Sequence, residues 1–132
     1  GRHSSAIAVV AAFTLIDAGL YYGAVAPAFD EFYSLREPSR LVLASPERPA
    51  LYTYHTSAYS LQYYAGCRTH EVTTAAEAAT LLSGDAPVVL ITRSRQLAAI
   101  RSLMTSTVNV WWEGPRARIL LSNRPPPLIE AT

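Results

Sequence analysis

Few residues of this sequence stand at spacings that could do chemistry together. Cys67 with His55 or His70 would supply a thiol nucleophile and a base if the fold brought them into reach, but a lone cysteine directly after Gly66 reads as a small buried apolar residue. His3, His55 and His70 are scattered and show no HxxxH or CxxC spacing, so no metal site is expected. No P-loop and no GxGxxG turn is present to bring backbone amides against a phosphate chain, so no nucleotide or other cofactor is expected either. The carboxylates form no close, helix-phased pair of the kind a glycosidase uses. No residue is therefore assigned as catalytic.

The aromatic pattern is more informative. Tyr52, Tyr54, Tyr59, Tyr63 and Tyr64 crowd into thirteen positions, and tyrosine joins an apolar body to a polar tip, which suits a sugar-facing or membrane-facing surface. The alternative reading is a set of core residues whose hydroxyls reach the surface. Tyr59 and Tyr64 are the candidate substrate-binding residues, because they follow the first strand of the soluble part, and strand ends are where α/β sheets present ligands. Trp111 and Trp112 are adjacent on a predicted strand, where alternation would send one into the core and the other outward.

The elements that must position these residues begin with an apolar run. AIAVVAAFTLIDAGLYYGAVAPA, residues 6–28, carries Asp17 as its only formal charge, and as a helix it would span about 35 Å, enough for a bilayer core. Apolar residues occupy every side of its wheel, which argues for a membrane span or a fully buried helix. Arg2 and His3 before it, and Asp30 and Glu31 after it, lean toward a cytoplasmic N-terminal side and an extracytoplasmic remainder. The segment FDEFYSLREPSRLVLASPERP then reads as a linker with a short helix, interrupted at Pro38 and closed by Pro46 and Pro49.

Beyond it, LYTYH is a predicted first strand, and SAYSLQYYAG a helix with Ser57 as cap and Gly66 as terminator. A short strand over residues 69–73 precedes TAAEAATLLSG, where Thr74 and Glu77 have capping-box spacing and Gly84 closes the helix. VVLIT, residues 88–92, is a continuous β-branched run suited to a central strand covered on both faces. Ser94 would cap a helix whose Leu97, Ile100 and Met104 share a side. VNVWWE and RARILLS would pair as a hairpin through a type II′ turn at Gly114 and Pro115. The fold class expected is α/β: a small three-layer domain whose mixed sheet is parallel in its βαβ units and antiparallel in its C-terminal hairpin, preceded by an apolar transmembrane helix. The divisions expected are 1–30 for the last transmembrane helix, 31–50 for the linker, 51–124 for the soluble domain and 125–132 for a proline-stiffened tail.

Composition narrows the function classes. With 132 residues the chain has the length for one core. Half its residues are hydrophobic and its formal net charge is +1, which suggests neither disorder nor a bulk electrostatic hold on nucleic acid. All eleven basic residues are Arg, dispersed along the chain and read as forming no patch. One cysteine makes no intramolecular disulfide.

The order of segments carries a resemblance. An apolar span, DEFYSLREPSRLVLAS, LYTYHTSAYSLQYYAGCRTHEV and APVVLITRSRQLAAI together resemble the C-terminal extracytoplasmic domain of bacterial family 39 glycosyltransferases, polytopic enzymes similar to protein O-mannosyltransferases and to the lipid A aminoarabinose transferase. The most telling piece, SLQYYAGC, is similar to the family's Ser-Leu-x-Phe-Tyr-x-Gly segment, with Tyr63 in place of the family's Phe. The resemblance implies an accessory domain of a membrane enzyme that moves a sugar from a polyprenyl-phosphate carrier to an extracytoplasmic acceptor. It also implies that the acidic catalytic residue lies in an early loop of the membrane region, so that this chain alone is non-catalytic and its partners are the membrane, the N-terminal transmembrane region of the same protein and the lipid-linked donor. The competing expectations are a membrane-anchored binding module without enzymatic activity, and a soluble α/β domain whose first helix packs in its core.

Overall fold

The computed structural model describes residues 2–28 and 34–129, in two compact units, Gly1–Ser34 and Leu35–Thr132. The expected start of the linker helix, and the Asp30 and Glu31 flank, lie outside the described residues.

The first unit is a helix, α1 (Arg2–Leu20), that runs through a π-helical turn at Tyr21–Val25. Over Ser4–Ala28 it is long and apolar enough to cross a membrane, with none of its most apolar stretch buried. Ile7, Phe13, Leu15 and Tyr22 are all well exposed. A helix apolar on all sides gains nothing from water, and the side chains that a protein interior would cover are exposed in this unit.

The second unit is a five-stranded sheet between two helical layers, the three-layer mixed architecture expected. Its elements are α2 (Arg36–Ala44), β1 (Ala50–Tyr54), α3 (Tyr59–Ala65), β2 (Thr69–Val72), α4 (Ala75–Ser83), β3 (Val88–Arg93), α5 (Ser94–Ser102), β4 (Asn109–Gly114) and β5 (Arg118–Ser122). The strand order is β2-β1-β3-β5-β4. β1 lies parallel to both β2 and β3, while β5 runs antiparallel to β3 and β4.

The β-branched run does what its composition requires: Val88 to Thr92 are buried at the middle of the sheet. Alternation divides the interior in two. Leu90, Ile119 and Leu121 face one layer with Ala78 and Leu82 of α4 and Ile100 of α5. Val89, Ile91 and Leu120 face the other with Val42 of α2 and Leu61 of α3. Each fully buried leucine or isoleucine stabilises by about 1.5–3 kcal/mol, so the two faces together hold the fold.

Local readings are corrected at several points. The segment read as a linker over 31–50 belongs to the domain from Leu35 onward, since Leu35 and Val42 are core residues. Pro38 does not interrupt its helix but sits in the first turn, where a missing N–H has no intrahelical partner to lose. Ala58, not Ser57, is the N-cap of α3, and Arg93, not Ser94, that of α5; neither cap makes a side-chain bond. Thr74 caps α4 as expected, its Oγ1 accepting from the Glu77 amide at 3.1 Å. The return bond of the box is displaced by one residue, Glu77 Oε2 accepting from the Thr73 amide.

The hairpin differs most from expectation. Gly114 is extended at φ −138°, and the turn is a 3₁₀ step over Pro115–Ala117 with Arg116 and Ala117 in the left-handed region. The glycine serves close approach instead: a Cβ at 114 would fall inside the Trp112 ring. Upstream, a register shift between Val110 and Trp112 marks a bulge, and both Trp111 and Trp112 consequently pack on the Leu120 face rather than on opposite faces.

Candidate functional site

The two edges of the sheet differ in what the chain leaves there. β1 is followed by α3 on one face and the adjacent β3 by α5 on the other, so the carboxyl ends of these strands form a topological switch point. Thr92 Oγ1 donates to Tyr54 O at 2.8 Å and fixes the two strand ends to each other. The next residue, His55, turns the chain with φ 51°, a left-handed conformation that costs a side-chain-bearing residue about 1–2 kcal/mol. Its imidazole lies edge-on to Tyr54, centroids 4.5 Å apart.

A crevice of about 560 Å³ opens on the other side of β1, against β2 and α3, lined by Thr53, His55, Tyr59, Gln62, Thr69 and Glu71 together with the β1–α3 connection. Register explains the grouping. Thr53 pairs with Glu71 across the parallel strands, and Tyr59 and Gln62 are three apart on α3, hence on one side of it. Thr69 Oγ1 donates to Gln62 Oε1 at 3.3 Å, leaving the Gln62 amide nitrogen for another acceptor. The lining offers hydroxyls, an amide, an imidazole and a carboxylate beside one tyrosine ring. Such a set can hold a polyhydroxylated ligand by hydrogen bonds while the ring covers an apolar face.

Of the two predicted site residues, the fold brings one here. Tyr59 begins α3 at the mouth of the crevice and is 83 % exposed. Tyr64 lies further around the helix, 37 % exposed and edge-on to Tyr63 at 5.4 Å, and does not line the crevice. The tyrosine cluster divides between the two readings it allowed. Tyr54 is core, Tyr52 packs half-buried against the same core beside His70, and Tyr59, Tyr63 and Tyr64 reach solvent.

Comparison with protein-family models, with curated proteins and with solved structures finds no match for the chain.

The Cys67–His55 pairing is not assembled. Cys67 stands before the amino end of β2 and His55 beyond the carboxyl end of β1, a separation of about 20 Å at ~3.3 Å per residue. Cys67 is at the surface rather than buried as read from sequence, beside Arg48, Pro49 and Leu43. Desolvation there pushes its thiol pKa up, which lowers the thiolate fraction a nucleophile needs. Among the described residues no group of three His, Cys, Asp or Glu could hold a metal ion.

Sequence reasoning missed Thr53, His55, Gln62 and Glu71 as a group. The signal was present but spread: two parallel strands must be set in register before position 53 is seen to face position 71.

Proposed function

We propose that this chain is the extracytoplasmic accessory domain of a membrane glycosyltransferase, held at the bilayer by α1, with its crevice contributing to the hold on the sugar or acceptor during transfer from a polyprenyl-phosphate carrier. The observation that carries the reading is the pairing of an unburied, all-round apolar helix with a domain that has a polar, tyrosine-edged crevice between α3 and the paired strands β1 and β2. The segment resemblance supports the same class, and the Arg2 and His3 flank supports the extracytoplasmic side. In this reading the group that activates the acceptor belongs to the membrane region of the same protein. The residues of the crevice bind and orient, which lowers the barrier by presenting the acceptor rather than by moving a proton.

The test is transfer by the full-length protein from a polyprenyl-phosphate sugar, with Tyr59→Ala and Glu71→Gln as variants. Loss of one ring contact or of one charge-assisted hydrogen bond corresponds to about tenfold in kcat/KM. Undiminished transfer by both variants would assign the crevice to packing. A periplasmic reporter fused after Thr132 should be active and a cytoplasm-dependent one silent; the reverse pattern would overturn the topology.

A further inference from the structure

The two helical layers of the domain differ in what they turn to solvent. On α3, Tyr59 and Tyr63 are four residues apart, hence on one side of the helix, and both are more than 80 % exposed. Tyr64, on the adjoining flank, meets Tyr63 edge-on. On α2, Arg40, Leu43 and Ala44 share the side away from the buried Pro38 and Val42, and Leu43 is 62 % exposed. Leu43 also borders a depression with Arg48, Gly66 and Cys67 at the ends of α2 and α3, which makes the outer surfaces of the two helices continuous. The opposite layer, α4 and α5, exposes one large apolar side chain among the described residues, Leu103 at the end of α5.

Charge on the α2–α3 layer is one-sided as well. Residues 35–68 hold Arg36, Arg40, Arg48 and Arg68 against the carboxylates Glu37 and Glu47. Both carboxylates are engaged: Glu37 accepts from Trp112 Nε1 at 3.3 Å, and Glu47 pairs with Arg124 at 2.8 Å. Arg40 on α2, Arg48 at the depression and Arg68 beside Cys67 are all exposed. Tyrosine settles at a water–hydrocarbon boundary with its ring inward and its hydroxyl among headgroups, and arginine lays an apolar stem on such a boundary while its head meets anionic lipid. The chain supplies the boundary. Its apolar helix is described to Ala28, and residues 29–34 join it to the core residue Leu35, a reach of about 25 Å at full extension. A domain on so short a leash must turn some face to the surface that the helix enters.

We propose that the outer face of α2 and α3 docks on an anionic bilayer surface, with Tyr63, Tyr64 and Leu43 at the boundary between headgroups and acyl chains and Arg40, Arg48 and Arg68 against the headgroups. The proposal rests on the part of the functional reading that puts α1 in a bilayer, and not on sugar transfer. It also gives the crevice a direction: Tyr59 belongs both to this face and to the crevice mouth, so docking sets the opening at headgroup level, where the head of a lipid-linked ligand lies.

The test uses Cys67, the one cysteine of the sequence, which is exposed at this face and takes a nitroxide spin label without mutation. The whole chain is reconstituted in nanodiscs of mixed phosphatidylcholine and phosphatidylglycerol. Power saturation then compares collisions with oxygen, which concentrates among acyl chains, and with a nickel chelate, which stays in water. The comparison site is Ala98→Cys in a Cys67→Ser background, exposed on α5. The oxygen-to-nickel ratio is expected to be several-fold higher at 67 than at 98. Each basic side chain close to an anionic surface strengthens docking about fivefold, so Arg40→Gln with Arg48→Gln, or Tyr63→Ser, or phosphatidylcholine alone, should bring the label at 67 toward the value at 98. Equal, water-like ratios at the two positions would overturn the proposal. A label at 67 shielded from both colliders would overturn it too, by showing that protein, such as a second copy of this chain, covers the face. A third label at Phe13→Cys separates the two readings: oxygen-rich there with water-like values at 67 removes the docking face alone, while water at Phe13→Cys removes the membrane reading with it.

Discussion

The amino and carboxyl edges of the sheet are built from similar residue types and put to opposite use. At the amino edge, beside β3, three polar side chains close mainly on the backbone. Asn123 accepts from the Val88 amide and donates to Gly84 O and Ala86 O. Ser122 Oγ donates to Val88 O and accepts from the Arg124 amide. Arg124 reaches Glu47 at 2.8 Å and Asp85 O, while its own carbonyl takes the Trp111 indole N–H. At the carboxyl edge the polar groups of Thr53, His55, Tyr59 and Glu71 surround open space, and of the four side-chain-bearing residues with positive φ among the described residues, His55, Arg116 and Ala117 occur there. Polar groups that satisfy one another specify the fold; polar groups left with bonding capacity beside strained backbone mark a place for a ligand.

That division sets different costs for the two edges. The largest loss is expected from Asn123→Ala, which removes three hydrogen bonds at the start of the central strand and should lower unfolding free energy by about 3 kcal/mol in urea melts. A loss under about 0.5 kcal/mol, the range of an ordinary surface change, would break the comparison. Gly114→Ala is the exception the carboxyl side should show, because the new methyl displaces the Trp112 ring from Glu37 and Arg118; about 2 kcal/mol is expected. Ala117→Gly should instead stabilise by about 0.5–1 kcal/mol, as glycine adopts φ 54° without a Cβ penalty. Glu71→Gln should leave stability within about 0.5 kcal/mol while lowering transfer by the full-length protein. The smallest effect concerns Cys67. Its raised pKa leaves less thiolate at neutral pH, so alkylation by iodoacetamide should be slower than for a free thiol and rise with pH only above the ordinary cysteine range.

Much of the layered architecture was legible because it follows from pattern. The buried run at Val88–Thr92, the Thr74 cap, the left-handed Gly66 at φ 65° and the apolar α1 each follow from a local rule that the fold does not override. The turn at Gly114 was misread because the glycine answers to the Trp112 ring, a contact created by the hairpin itself. The tryptophan pair was misread because a bulge shifts the alternation by one residue, and nothing in VNVWWE announces a bulge. The crevice was invisible because it is assembled across strands, at Thr53 and Glu71, and register is a property of the sheet rather than of any segment.

The most direct test of the carboxyl edge as the ligand edge is amide chemical-shift mapping of the isotopically labelled chain in dodecyl maltoside micelles, titrated with a short-chain polyprenyl-phosphate sugar. Saturable shifts are expected at residues 53–59 and 69–71 around the crevice, with residues 84–88 and 122–124 unmoved. Shifts confined to the amino-edge residues, or none at ligand concentrations that saturate the full-length protein, would contradict it.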